Sequence, residues 1–236
     1  MRDLFVADAW STGGGNSGSR IAFGLDGTIY MTVGELHEQT PAQDLRTHKG
    51  KILRLNADGT VPPDNPFVGR ADARPEIFAY GVRNPQGLFI EASSGTIWEH
   101  EHGPRGDELN IITRGHNYGW PAITFGINYN GTTIYKDTAR AGMDQPVVHW
   151  TPSISPSGLT LYSGDRFPAW RGNVFLGALS GLNLRQLEVL NGRATHQVEL
   201  LLTSCPKRIR DARQGPDGLL YVLTGAGALL RLEPEP

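Results

Sequence analysis

The chain has 236 residues, with 22 Lys and Arg against 24 Asp and Glu for a formal net charge of −2, and one cysteine, Cys205. Near-neutral charge without a basic block argues against nucleic acid and anionic membrane as partners. The lone cysteine excludes an intramolecular disulfide, and no apolar run is long enough to span a bilayer. The 30 glycines and 16 prolines, scattered between apolar runs, fit neither a helical nor a disordered protein.

In chain order, the apolar run 4–9 (LFVADA) precedes a Gly- and Ser-rich stretch ending in Asn16-Ser17-Gly18-Ser19-Arg20. The unit GLDGTIYMTVGE (24–35) then sets an Asp-Gly turn before β-branched and aromatic residues, as a hairpin requires. Variants recur as EASSGTIWEHEHG (91–103), RGNVFLGALSG (171–181) and GPDGLLYVLTG (215–225). No sustained 3.6-residue period interrupts them. Such repetition points to radially repeated four-stranded sheets, a β-propeller. Strands are expected at 20–24, 29–33, 51–56 and 76–80 for one blade. The next takes 86–91, 96–100, 108–113 and 147–150, a third lies within 158–203, and the last, 208–232, supplies three strands. The expectation is one all-β domain over 1–236, a propeller of about four blades. Run 4–9 would complete the last blade and leave no open edge, with pairing between copies as the other way to cover one.

The stretch GTIWEHEHGPRGDELNIITRGHNYGWP (95–121) concentrates acids, histidines and glycines between short apolar strands. Irregular backbone rich in carboxylates and carbonyls suits a hard cation, and Ca²⁺ takes six to eight oxygens at about 2.3–2.6 Å. Asp107 and Glu108 are the carboxylates available to a metal there, and Tyr118 follows Glu108 by ten residues. His100, His102 and His116 fit no zinc spacing. Arg83, beside Asn84 in GVRNPQG (81–87), and Arg208 and Arg210 in RIRD (208–211) carry guanidinium forks suited to bidentate anion recognition. Asp211 could neutralise the latter pair.

Together these segments resemble the soluble PQQ-dependent aldose sugar dehydrogenases, the glucose/sorbosone dehydrogenase family of β-propellers. The resemblance implies six blades in relatives, commonly exported ones, although Met1-Arg2-Asp3-Leu4 opens no secretory signal. It also implies Ca²⁺ at Glu108 and at the Tyr118 carbonyl, and PQQ contacts from Arg83, Asn84, Arg208 and Arg210.

Three departures argue against PQQ. The family's H-x-G-S-R motif, source of its base, reads Asn16-Ser17-Gly18-Ser19-Arg20 here, and an amide cannot accept a proton near neutral pH. The G-A-L-K lysine is replaced in Gly177-Ala178-Leu179-Ser180, and the G-P-x-G-G-D-E motif is one glycine short at 103–108. On that basis the expected activity is a Ca²⁺-dependent hydrolase of the lactonase or esterase kind acting on a small molecule. Ca²⁺ would polarise the carbonyl, Arg83, Asn84 and Asn16 would cradle the oxyanion, and His102 or Glu101 would activate water. A PQQ-dependent aldose dehydrogenase and a non-catalytic sugar- or acid-binding propeller are the alternatives.

Overall fold

The computed structural model describes residues 2–190, 193–200 and 207–235; Cys205 and the expected strand end at 201–203 lie outside the described residues. It is all-β, with two single-turn 3-10 segments at Thr40–Gln43 and Pro168–Trp170. Four antiparallel sheets of three or four strands follow one another along the chain, consistent with a partial propeller-like arrangement. The chain divides into two compact units, 1–151 and 152–236. No described helix is long and apolar enough to cross a membrane.

The first unit holds two sheets. In one, β1 (Gly18–Phe23), β2 (Ile29–Val33), β3 (Lys51–Leu55) and β4 (Ile77–Tyr80) lie in sequence order. In the other, β5 (Pro85–Ile90), β6 (Ile97–Glu101), β7 (Asp107–Ile112) and β8 (Val148–Trp150) do the same. Between β1 and β2 the Asp26-Gly27 turn is fixed by Asp26, which accepts from both the backbone and the hydroxyl of Thr28 at 3.0 and 2.7 Å. The two sheets share a core of Tyr30, Ile52, Phe78, Ala79, Leu88, Ile97 and Ile112. Burial of Ile52, Phe78, Leu88, Ile97 or Ile112 stabilises the fold by about 1.5–3 kcal/mol each relative to exposure. Gly87 has no alternative residue, because a Cβ there would run into the imidazole of His100 on the neighbouring strand.

The second unit holds β9 (Pro156–Leu161), β10 (Val174–Ala178), β11 (Leu184–Leu190) and β12 (Arg193–Leu200) as one sheet. A three-stranded sheet follows, of β13 (Ile209–Gln214), β14 (Leu220–Thr224) and β15 (Leu229–Leu232). Tyr162, Phe175 and Leu184 pack against Ile209, Ala212, Leu220 and Val222 to form its core.

The run 4–9 is not the closing strand. It forms no strand, and its contacts lie in the first unit. Asp8 accepts from the His48 amide at 3.1 Å and donates its own N–H to His48 Nδ1 at 2.8 Å. Phe5, Ala7 and Ala9 cover Val33, Leu53, Phe67 and Ile77. The apolar run LFVADA, expected as a strand, is an extended segment laid over a sheet face, with Phe5, Ala7 and Ala9 inward.

Candidate functional site

The site is assembled where the first unit's strands meet their connecting loops. The β4–β5 connection, Gly81 to Asn84, is pinned from several sides. Gly81 N–H donates to the carbonyls of Ala42 and Gly50, both at 3.1 Å, and the Arg83 carbonyl accepts from Glu35 N–H at 2.8 Å. Arg83 is thereby carried inward and left only 6% exposed. Its Nη1 donates to the His102 carbonyl at 2.6 Å, its N–H to Glu101 Oε2, and its guanidinium lies over the Trp120 ring, 5.4 Å from the centroid.

Asn84 shares this fixed environment. Its Oδ1 accepts from Gly18 N–H at 3.2 Å and from Gln86 Nε2 at 2.8 Å, tying β5 to the start of β1. Arg20 Nε adds a second tie, to the Gln86 carbonyl at 2.6 Å.

Across from Arg83 sits a carboxylate that the motif reading missed. Glu35 is buried, and its Oε1 lies 4.0 Å from Arg83 Nε. That oxygen accepts from Asn16 Nδ2 at 2.6 Å and from the His37 amide at 3.1 Å, while Oε2 has no partner. The other amide proton of Asn16 points toward His37 Nδ1 at 3.2 Å. Asn16 reaches this position because Gly34 has no side chain: a Cβ there would strike the Asn16 carbonyl, which accepts from Leu36 N–H at 3.1 Å. Asn16, Leu36 and His37 all hold positive φ (49, 57 and 64°) without being glycine. Such strain persists only where surrounding structure enforces it. The signal for the corner was present in Gly34-Glu35-Leu36-His37, an acid and an imidazole just past a strand end.

On β6 and β7 the pairing sets Glu101 opposite Glu108 and Glu99 opposite Asn110, so these four side chains share one face. Asn110 Nδ2 donates to Glu99 Oε2 at 3.1 Å. Burial pushes Glu99 and Glu101 well above the usual carboxylate range; for Glu101 the neighbouring Glu99 and Glu108 add to it. Glu108 is pushed up to about 7, again by burial first. Asp107 lies on the opposite face of β7, where its Oδ1 accepts from Gly103 N–H at 3.2 Å. Tyr118 is buried, its hydroxyl donating to the Ile111 carbonyl at 2.7 Å and accepting from Thr113 N–H at 2.8 Å. Among the described residues no three His, Cys, Asp or Glu side chains converge as a metal cluster. An ion at Glu108 would have to draw on backbone oxygens. The shortened turn at 103–106 is closed by Arg105 in the left-handed region, φ 57°.

In the second unit, Arg208 and Arg210 are exposed, alternating with buried Ile209. Asp211 does not neutralise them. It accepts from Arg213 Nε at 3.2 Å and from Ala212 N–H at 3.0 Å. Ser180, in the lysine's place, donates to the Ser153 carbonyl at 3.2 Å.

The comparisons with known proteins agree with one another. The Glucose / Sorbosone dehydrogenase family profile matches residues 1–231. The aldose sugar dehydrogenase YliI of Escherichia coli is 44% identical over 94% of this chain and 61% of its own. A glucose dehydrogenase crystal structure is 46% identical, with a TM-score of 0.89 over 92% of this chain and 64% of that one. The PQQ-bound aldose sugar dehydrogenase of Streptomyces coelicolor is 30% identical, with a TM-score of 0.73 over 92% of this chain and 61% of that one. The chain thus spans a little over three fifths of the length of these relatives.

These matches overturn the expectation of a lactonase- or esterase-type hydrolase, and with it the argument against PQQ. The geometry gives the reason. Glu101 is buried and bound to the Arg83 amide rather than placed to activate water, and the Asn16 amide is engaged by Glu35 and His37 rather than presented to an oxyanion. Substituting single motif residues did not dismantle the corner around them. The chain belongs to the glucose/sorbosone dehydrogenase family.

Proposed function

We propose that the protein oxidises the hemiacetal carbon of an aldose using PQQ, on a β-propeller scaffold to which the four sheets contribute one blade each. The observation that carries this reading is the family match over residues 1–231, joined by the PQQ-bound relative matched over 92% of the chain.

The chain's own residues suit such a cofactor. PQQ is a planar polycarboxylate, and Arg208 and Arg210 are exposed guanidinium groups with no side-chain partner among the described residues, the donor chemistry that carboxylates select. Buried Trp120 Nε1 and Glu35 Oε2 lack partners, as polar atoms reserved for a ligand do. When bound, PQQ supplies a quinone able to accept a hydride. Within the first unit, Arg83, stacked on Trp120, would hold the Glu35 corner in place.

Calcium belongs to the same proposal. Glu108 opposes Glu101 on a buried face where a divalent ion would relieve carboxylate repulsion, with the Tyr118 carbonyl as a further ligand. Asp107, on the other face of β7, serves its own turn.

The decisive experiment is reconstitution with PQQ and Ca²⁺, followed by reduction of an electron-accepting dye across a panel of aldoses. Turnover that needs both additions supports the reading. Tight sugar binding without turnover would replace it with a binding module, and lack of PQQ binding would sink it.

A further inference from the structure

Oxidation of a hemiacetal removes a proton from oxygen as well as a hydride from carbon, so the site needs a base that is free near neutral pH. The buried acids do not supply one. Glu99 and Glu101 are held toward their protonated forms, Glu108 is assigned above to calcium, and Glu35 is buried, its unpartnered Oε2 enclosed. Asn16 is an amide.

His37 is different. It is exposed, its Nδ1 lies 3.2 Å from Asn16 Nδ2, and its backbone N–H is anchored to Glu35 Oε1 at 3.1 Å. The corner's charged neighbours are Glu35 and, beyond it, Arg83. Glu38, next along the chain, is occupied by Lys49 at 2.7 Å. Because Glu35 fixes the Asn16 amide as a donor, the neutral ring keeps its lone pair on Nδ1 and its proton on Nε2. The ring is thus supplied to the site in one tautomer, on a backbone held at φ 64°.

We propose that His37 is the proton acceptor of the oxidation and that Asn16 and Glu35 are its positioning residues, an inference that rests on the dehydrogenase reading above. With PQQ bound, its quinone would take the hydride from carbon, and the hydroxyl proton would pass to His37 Nδ1 as that atom exchanges the Asn16 amide for the substrate hydroxyl. The carbon–oxygen bond becomes the carbonyl of a lactone. The Asn16 amide then serves Glu35 alone. The imidazolium returns its proton to solvent, which its exposure permits.

The test compares the wild type with His37→Ala and His37→Asn, the second because asparagine tolerates the left-handed backbone. PQQ affinity, read by fluorescence titration, should stay within about twofold for both, since His37 is not assigned to hold the cofactor. Turnover should fall about 10²–10⁴-fold, the usual contribution of a general base. KM should change little, the acid limb of the wild-type pH–rate profile should vanish, and added imidazole should restore part of the rate to His37→Ala. In the cofactor-free protein, adding an aldose should shift the His37 Nδ1 resonance in ¹⁵N spectra. Turnover near wild type in both variants, or loss without imidazole rescue and with an unchanged pH profile, would overturn the role of His37 while leaving the dehydrogenase intact. A wild type that binds no PQQ would remove both.

Discussion

The arginines of the two units live in opposite circumstances. Arg83 in the first is enclosed, bonded to the His102 carbonyl and Glu101, and stacked on Trp120. Arg208 and Arg210 in the second stand exposed on β13. The sequence presents all three as similar forks beside similar motifs. Enclosure turns one into a structural clamp, whereas the others stay exposed, with no side-chain partner among the described residues. An arginine's motif context therefore says less about its task than where its guanidinium's hydrogen bonds end.

The sharpest way to break this comparison is to truncate each. Arg83→Ala leaves buried Glu35 without its cation and the His102 carbonyl without its donor, and should cost about 3–5 kcal/mol in urea unfolding. Arg208→Ala should stay within about 0.5 kcal/mol in stability, as surface changes do, yet weaken PQQ binding. Equal stability losses would mean that the two environments do not differ in the way described.

Calcium gives the next largest effect. At a free concentration a hundred times its Kd, the ion should stabilise the wild type by about 2.7 kcal/mol, read as a rise in melting temperature that EGTA reverses. Glu108→Gln should abolish that response. Asp107→Asn should keep it, because the Asp107 side chain lies on the other face of β7 and serves the Gly103 turn.

How much of this was legible in the residues divides along similar lines. Local pattern located the strands: 29–33 was read to the residue, and 51–56, 76–80 and 86–91 fell within one residue of β3, β4 and β5 at each end. Turn chemistry such as Asp26-Gly27 acts over a few residues and is visible in a linear chain. Glu35 and His37 stood out past a strand end, but their meeting with Asn16 and Arg83 was not visible, because it joins residues 19 to 21 positions apart and reaches the β4–β5 connection through Glu35. Motif reading treated Asn16 as an isolated loss, while its surroundings keep a carboxylate and an imidazole within reach. The fate of run 4–9 was equally hidden, since an apolar run can pair at a sheet edge or lie over a sheet face.

Lys51 tests a buried cation without a carboxylate at its tip. Its Nζ donates to the carbonyls of Pro41, Ala42 and Lys49 at 2.9, 3.1 and 2.6 Å. Burial pushes it down to about 7, with the Asp44 charge opposing. The unfolded chain thus binds more protons than the native one between about 7 and the ordinary lysine range near 10.4, so this group's contribution raises stability with pH across that window and withdraws it as pH falls toward 7. Lys51→Met should flatten that slope. At neutral pH it should also cost about 2 kcal/mol, from carbonyls left without a donor.

The smallest effect is the most discriminating between the units. Tyr118 and Tyr162 do the same structural job. Each hydroxyl donates to a distant carbonyl, Ile111 at 2.7 Å and Gly218 at 2.6 Å, and each accepts a backbone N–H, from Thr113 at 2.8 Å and Phe167 at 3.1 Å. Tyr118→Phe and Tyr162→Phe should therefore cost alike, about 1 kcal/mol. Only the chain around Tyr118 is proposed to meet calcium, and through a main-chain oxygen that the substitution leaves untouched. Tyr118→Phe should keep the full calcium-induced rise in melting temperature, from a lower baseline. Loss of that rise in Tyr118→Phe alone would assign the metal contact to the hydroxyl and refute the carbonyl ligand.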